Sequence, residues 1–206
     1  MSVLIKRIPK GPLTENTYVI SDEISGEIAV VDPGYFEESL IDSNVKYILL
    51  THGHGDHIYE VMRYKESFPE AQVVACEDEE ELLSHAMFNG SLGMNKEITV
   101  DADLYLKDGD ELYLGEFIIK CIATPGHSRG GMCYLVDNNL FSGDTLFRLS
   151  VGNTGFHGGS WEVLQESIRN KLYVLDDDVK VYPGHGFETS IGFEKVNNPY
   201  VQVLSK

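Results

Sequence analysis

Residues 51–61 read THGHGDHIYEV and hold three of the chain's seven histidines, with an aspartate among them. Just upstream, Val45 to Leu50 is a near-continuous apolar run, the pattern of a strand buried on both faces. Gly53 and Gly55 allow the backbone to turn sharply after it, so His52, His54, Asp56 and His57 can point into a common cavity. A packed core has no use for clustered imidazoles, whereas a metal ion does. So many donors in one turn, with more elsewhere, exceed the three or four ligands of an ordinary zinc site, and the surplus points to two ions.

Three later segments repeat the pattern. His127 sits in TPGH after the apolar stretch ending near Ala123, Asp144 in SGDTLF after Leu140 to Ser142, and His185 in YPGHG after Val179 to Val181. Each is a polar residue preceded by glycine, just past an apolar strand. A lone histidine or aspartate beside glycine is ordinarily a turn residue. As a set with the 52–57 cluster, these residues instead predict strand ends that converge on one edge of the molecule.

Outward from these motifs, Val3 to Ile8, Thr17 to Ser21 and Glu27 to Val31 read as an antiparallel meander, closed by the Asp32-Pro33-Gly34 stop. Phe36 to Ile41 reads as a short helix. Ile58, Val61, Met62 and Phe68 have helical spacing, Gln72 to Ala75 is a short strand, and the acidic run Glu77 to Glu81 opens another helix at its positive dipole end. That run is assigned no chemistry. Asp108-Gly109-Asp110 and Asp137-Asn138-Asn139 read as hairpin turns between strands, Trp161 to Leu172 as a helix, and Val179 to Tyr182 as a last strand. Strands too numerous for one small sheet, with helices between them, predict two packed sheets with helices outside, an α/β sandwich formed by residues 1–206 as one domain.

The 206 residues carry a formal net charge of -17, which argues against nucleic acid or an anionic membrane as partner. No stretch approaches a membrane span, and the N-terminus lacks a long apolar leader. The three cysteines, Cys76, Cys121 and Cys133, form no C-x-x-C pair, as expected of reduced, buried thiols in a cytoplasmic protein. The oligomeric state is not legible.

THGHGDH, TPGH, SGDTLF and YPGHG, in this order, resemble the metallo-β-lactamase fold superfamily, and within it the glyoxalase II (hydroxyacylglutathione hydrolase) type. The similarity runs from Thr14-Glu15-Asn16-Thr17-Tyr18 to Glu194-Lys195-Val196-Asn197-Asn198-Pro199, nearly the whole chain. The resemblance implies an αββα sandwich. It implies that His52, His54 and His127 hold one divalent ion, that Asp56, His57 and His185 hold a second, and that Asp144 bridges them. Zinc suits these donors, as do iron and manganese. The implied reaction is hydrolysis of a small-molecule thioester or ester by a hydroxide shared between the ions, with Asp56 and Asp144 as the carboxylates at the reacting centre.

Two departures bear on glutathione. The resemblance is to a short form, in which the C-terminal helical segment that carries the basic contacts of longer forms is not expected, and the loop after SGDTLF has neutral Asn153 where the family often has a cation. Arg148 or Lys195 would have to replace it. Asn153 and His157 are the candidate substrate contacts, and His85 matches no motif. Alternative readings are an oxidoreductase resembling persulfide dioxygenases, with His52, His127 and Asp144 around one iron, a lactone or β-lactam hydrolase, and a metal-stabilised binding module. The last fits least, because structural zinc sites close their coordination and favour cysteine.

Overall fold

The computed structural model describes residues 2–202. Leu4–Pro9 (β1), Asn16–Ser21 (β2) and Glu27–Val31 (β3) form the expected antiparallel meander. Asn44–Leu49 (β4), Gln72–Cys76 (β5) and Leu104–Leu106 (β6) add in parallel, completing a six-stranded sheet in sequential order. Parallel neighbours require crossovers, and helices Val61–Ser67 (α1) and Glu80–Ser84 (α2) lie in two of them.

The second six-stranded sheet contains Glu111–Leu114 (β7), Phe117–Ala123 (β8), Met132–Val136 (β9) and Asn139–Gly143 (β10). A small ribbon, Leu146–Phe147 (β11) with Ser150–Val151 (β12), intervenes. Helix Trp161–Ser167 (α3) follows and continues as a π turn over Ile168–Leu172. Lys180–Pro183 (β13) and Thr189–Ser190 (β14) then complete the order β14-β13-β10-β9-β8-β7, and Ile191–Asn197 (α4) closes the outer layer.

Strand alternation divides the apolar residues into three cores. Ala29, Val31, Tyr47 and Leu49 face the second sheet and meet Met132, Tyr134 and Phe141. Their neighbours Val30, Ile48 and Leu50 face the other way, toward Val61 and Tyr64 of α1. On the far side, Cys133 and Leu140 pack against Leu164, Ile168 and Leu172. This is the αββα layering expected from the sequence. All three cysteines are buried and unpaired.

Two local readings are corrected. Asp108-Gly109-Asp110 is not a hairpin: β6 belongs to the first sheet and β7 to the second, so this turn carries the chain between layers. The hairpin lies instead at Gly115, whose φ of 56° joins β7 to β8. Phe36 to Ile41 holds only a 3-10 turn over Glu38–Leu40.

Strand direction positions the site. β3 and β4 run parallel, and β8, β10 and β13 share one direction because β9 reverses the chain between β8 and β10. The loops leaving these five strands meet where the sheets are tied together by Met132 N–H donating to Thr51 O (2.8 Å) and Asn16 N–H to Gly184 O (2.6 Å).

Candidate metal centre

The structure brings all the candidate ligands to that edge. Donor atoms of His52, His54 and His127 lie within 4.8 Å of one another, as do those of Asp56, His57 and His185. Asp144 reaches both trios: Oδ1 is 3.4 Å from His57 Nε2, and Oδ2 is 3.6 Å from His127 Nε2 and 3.7 Å from His185 Nε2. Asp56 Oδ2 lies 3.3 Å from His185 Nε2 and 3.6 Å from His57 Nε2.

These separations fit a shared cation better than hydrogen bonds. Tetrahedral donors at ~2.0–2.1 Å from a zinc ion stand roughly 3.3 Å apart. Two polar atoms in the cluster, His52 Nε2 and Asp144 Oδ1, are buried without any hydrogen-bond partner. Orphaned buried polar atoms are costly, and in a histidine-carboxylate cluster a bound ion would relieve that cost. At one place the fit needs a small opening: His54 Nδ1 and His127 Nε2 touch at 2.8 Å, a hydrogen bond that an ion between them would replace.

An outer layer sets the ring orientations. Asp32, 2% exposed, accepts from Thr51 N–H at 2.8 Å, Thr51 Oγ1–H at 2.7 Å and His57 Nδ1–H at 2.9 Å. Because the Thr51 hydroxyl donates to Asp32, it is free to accept from His52 Nδ1 at 3.0 Å. His57 and His52 therefore both turn Nε2 inward, one from each trio, and one carboxylate orients both. Asn153 is placed the same way: its carbonyl accepts from His127 Nδ1 at 2.7 Å. Its amide side chain accepts from Gly155 N–H at 2.9 Å, so its contact is with a ligand rather than with the cavity. Such second contacts fix tautomer and raise ligand basicity.

Burial pushes His52 well below its ordinary pKa, helped by the neighbouring imidazoles, and lowers His54 to about 3 and His127 to about 4. These rings are neutral at pH 7, the form that binds metal. For His57, burial acts downward but is outweighed by Asp56, Asp144 and Asp32, which hold the ring well above its usual range. Burial raises Asp144, whereas Asp56 is held low because His57 and His185 overcome its own desolvation.

Three residues that the sequence reading assigned no such role support the loops. Asp32 reads there only as the start of a strand stop, and its backbone is left-handed, with a φ of 48°. Glu79, from the acidic run, is fully buried, and its carboxylate accepts from Gly53 N–H and Gly130 N–H, both at 2.7 Å, fastening the His52–His54 turn to the His127 loop. Asn16 Nδ2 donates to Pro183 O (2.8 Å) and Gly186 O (3.1 Å), holding the loop of His185. A signal for Asp32 exists, since an acidic residue ends the strand beside the histidine-bearing one. For Glu79 none exists among its acidic neighbours. His157 does not line the cavity; it stacks on Phe88, ring centroids 4.0 Å apart, and its Nε2 lies 3.4 Å from a Glu81 carboxylate oxygen. His85 is exposed and stacks on Phe88 as well.

The cavity over this cluster measures about 270 Å³ and includes Leu13, Phe88, Met94 and Phe156 beside the ligands. No helix among the described residues is long and apolar enough to cross a membrane.

The chain is similar in sequence and fold to known proteins. A model of the metallo-beta-lactamase superfamily matches residues 11–185. The chain is 36% identical over 213 residues to the probable metallo-hydrolase YqgX of Bacillus subtilis, covering 97% of this chain and 98% of that protein. It is 32% identical over 213 residues to the hydroxyacylglutathione hydrolase GloC of Haemophilus influenzae, covering 98% and 99%. Among solved structures, the BLEG-1 B3 metallo-beta-lactamase superposes with a TM-score of 0.88 at 36% identity, over 96% of this chain and 99% of that one. TTHA1623 in a di-iron-bound form gives 0.82 at 27% identity, over 95% and 100%. The motifs, the layering, the ligand cluster and these relatives agree: the chain belongs to the metallo-beta-lactamase superfamily, as a metal-dependent hydrolase.

Proposed function

We propose that the protein hydrolyses a small thioester with the help of two divalent cations, zinc being the best match to the donors. The observation that carries this reading is the pair of ligand trios joined by Asp144, with buried donor atoms left unpartnered. His52, His54 and His127 would hold one ion, and Asp56, His57 and His185 the other. Bound there, the pair would supply Lewis acidity that makes water a nucleophile at neutral pH and polarises a carbonyl oxygen.

The chain's own residues do the rest. Asp32 fixes the tautomers of His52 and His57, and the Asn153 carbonyl fixes that of His127. Asp56, held ionised, and Asp144, reaching both trios, are the carboxylates at the reacting centre. Leu13, Phe88, Met94 and Phe156 give the cavity an apolar wall beside these ligands. In net terms the water oxygen forms the new bond to the acyl carbon, the C–S bond breaks, and acid and thiol leave. The relationship to GloC supports the thioester; the likeness to BLEG-1 favours β-lactam hydrolysis as the second reading, since the same centre could open a strained amide.

Metal analysis of the protein as isolated, with assays on S-lactoylglutathione, simple thioesters and a β-lactam, tests this. The expected result is about two ions per chain and thioester cleavage, with both reduced by His54→Ala. A single ferrous ion with oxygen consumption on a persulfide would overturn it, as would full thioesterase activity in His54→Ala with one ion bound.

A further inference from the structure

Resting on the thioester reading, we propose that the cavity selects a neutral, apolar thioester, and that a carrier bearing carboxylates such as glutathione is disfavoured. Beyond the candidate ligands, the cavity wall offers few polar groups. Apart from the ligands, its one polar side chain is Asn89, which is 2% exposed. Asn89 Nδ2 donates to Ile98 O at 2.9 Å, and its Oδ1 accepts from Ser91 N–H at 2.9 Å, so both ends of the amide are already engaged within the chain.

The remaining side chains of the wall are Leu13, Phe88, Met94 and Phe156, from three separate segments. Phe88 is a built surface: His157 stacks on it in near-parallel fashion, 5° between planes, and His85 stacks on it at 5.1 Å. Phe156 stands edge-on to His54 at 5.0 Å, directly beside the cluster. Phe156 and Leu13 remain 53% and 57% exposed, apolar area that a ligand would cover.

The cations nearest in sequence to the candidate ligands and loops stand outside the cavity lining. No Lys or Arg lines the cavity among the described residues. Lys195 donates to Leu175 O at 2.9 Å and to Asp177 Oδ1 at 2.6 Å. Arg148 lies over the Phe193 ring at 5.6 Å, and Arg129, two residues past His127, pairs with Glu81 at 3.0 Å. A carboxylate held against this wall, away from the candidate ligands, would lose water without gaining a cationic side chain. The volume, about 270 Å³, also lies just below the roughly 300–1,000 Å³ of pockets that enclose drug-sized ligands. It suits a small acyl and thiol group better than a tripeptide.

The test uses the metal-loaded, full-length protein and two inert thioethers: S-benzyl-N-acetylcysteamine, which is neutral, and S-benzylglutathione. Calorimetric titration should show the neutral compound binding at least about tenfold tighter. Phe156→Ala and Leu13→Ala, at exposed positions and with metal content checked, should each reduce that preference, and Leu13→Lys should shift it toward the glutathione compound. Equal or tighter binding of S-benzylglutathione, no binding of either, or a preference unchanged in both alanine variants would overturn the proposal. Hydrolysis of the phenylacetyl thioesters of the same two thiols is measured in parallel. If neither is cleaved while the binding preference holds, the thioesterase reading fails and the cavity assignment stands.

Discussion

Replacing Asp32 by asparagine tests the idea that one buried carboxylate orients both halves of the cluster. Asparagine tolerates the φ of 48° at this position, so the substitution isolates the hydrogen bonds from the backbone. In the native protein Oδ2 accepts from both Thr51 Oγ1 and His57 Nδ1, and Oδ1 accepts from Thr51 N–H. An asparagine that keeps its oxygen at the Oδ1 position turns an NH2 group against two donors. In the flipped orientation it forfeits the Thr51 N–H bond and all charge assistance. Hydrogen bonds to a charged acceptor contribute ~1.5–3 kcal/mol each, so the smaller loss is about 2 kcal/mol, with the flipped amide. Because His52 and His57 belong to different trios, both ions should feel it. Loss of a carboxylate behind a ligand histidine typically costs about 10–100-fold in metal affinity. Competition against a chromogenic chelator reads the affinities, and calorimetric melting of the metal-free protein reads the stability. A variant that holds both ions within about threefold of the native affinities and melts at the native temperature would refute the reasoning.

Other outcomes follow from the same geometry. A Cβ on Gly184 would stand 2.2 Å from Asp144 Oδ1 and 2.6 Å from His57 Cε1, so Gly184→Ala should displace ligands of both ions, lower the metal count and cut turnover by at least about tenfold; native stoichiometry would count against it. Burial raises the Glu79 carboxyl from 4.5 to about 7, so folding takes up a proton between these values. Stability of the metal-free protein should therefore fall as pH rises through that window, by about 3 kcal/mol, and level off above it. The difference in stability between native protein and Glu79→Gln isolates this contribution, and a difference independent of pH would sink it. Chelation should lower the melting temperature, because ions that bind only the folded state stabilise it by mass action; an unchanged melting curve would mean that the cluster holds no ion.

The clustering of candidate ligands was legible in the chain because metal-binding chemistry is written in side chains at short range. His52, His54, Asp56 and His57 share one glycine-rich turn, and His127, Asp144 and His185 each follow a glycine at a strand end. The layering was legible too, since strands alternating with helical periods leave few ways to bury their apolar faces. Only the tertiary structure decided the roles of Asp32, Glu79 and Asn16, whose partners lie in loops distant along the chain and whose isolated side chains look like any stop, acidic helix start or turn. It also decided that Asp108–Asp110 passes between sheets, because a hairpin and a layer crossover ask the same turn chemistry of the local sequence. The cavity wall of Leu13, Phe88, Met94 and Phe156 belongs to the same class. Its apolar character exists only where segments far apart in sequence are packed against one another.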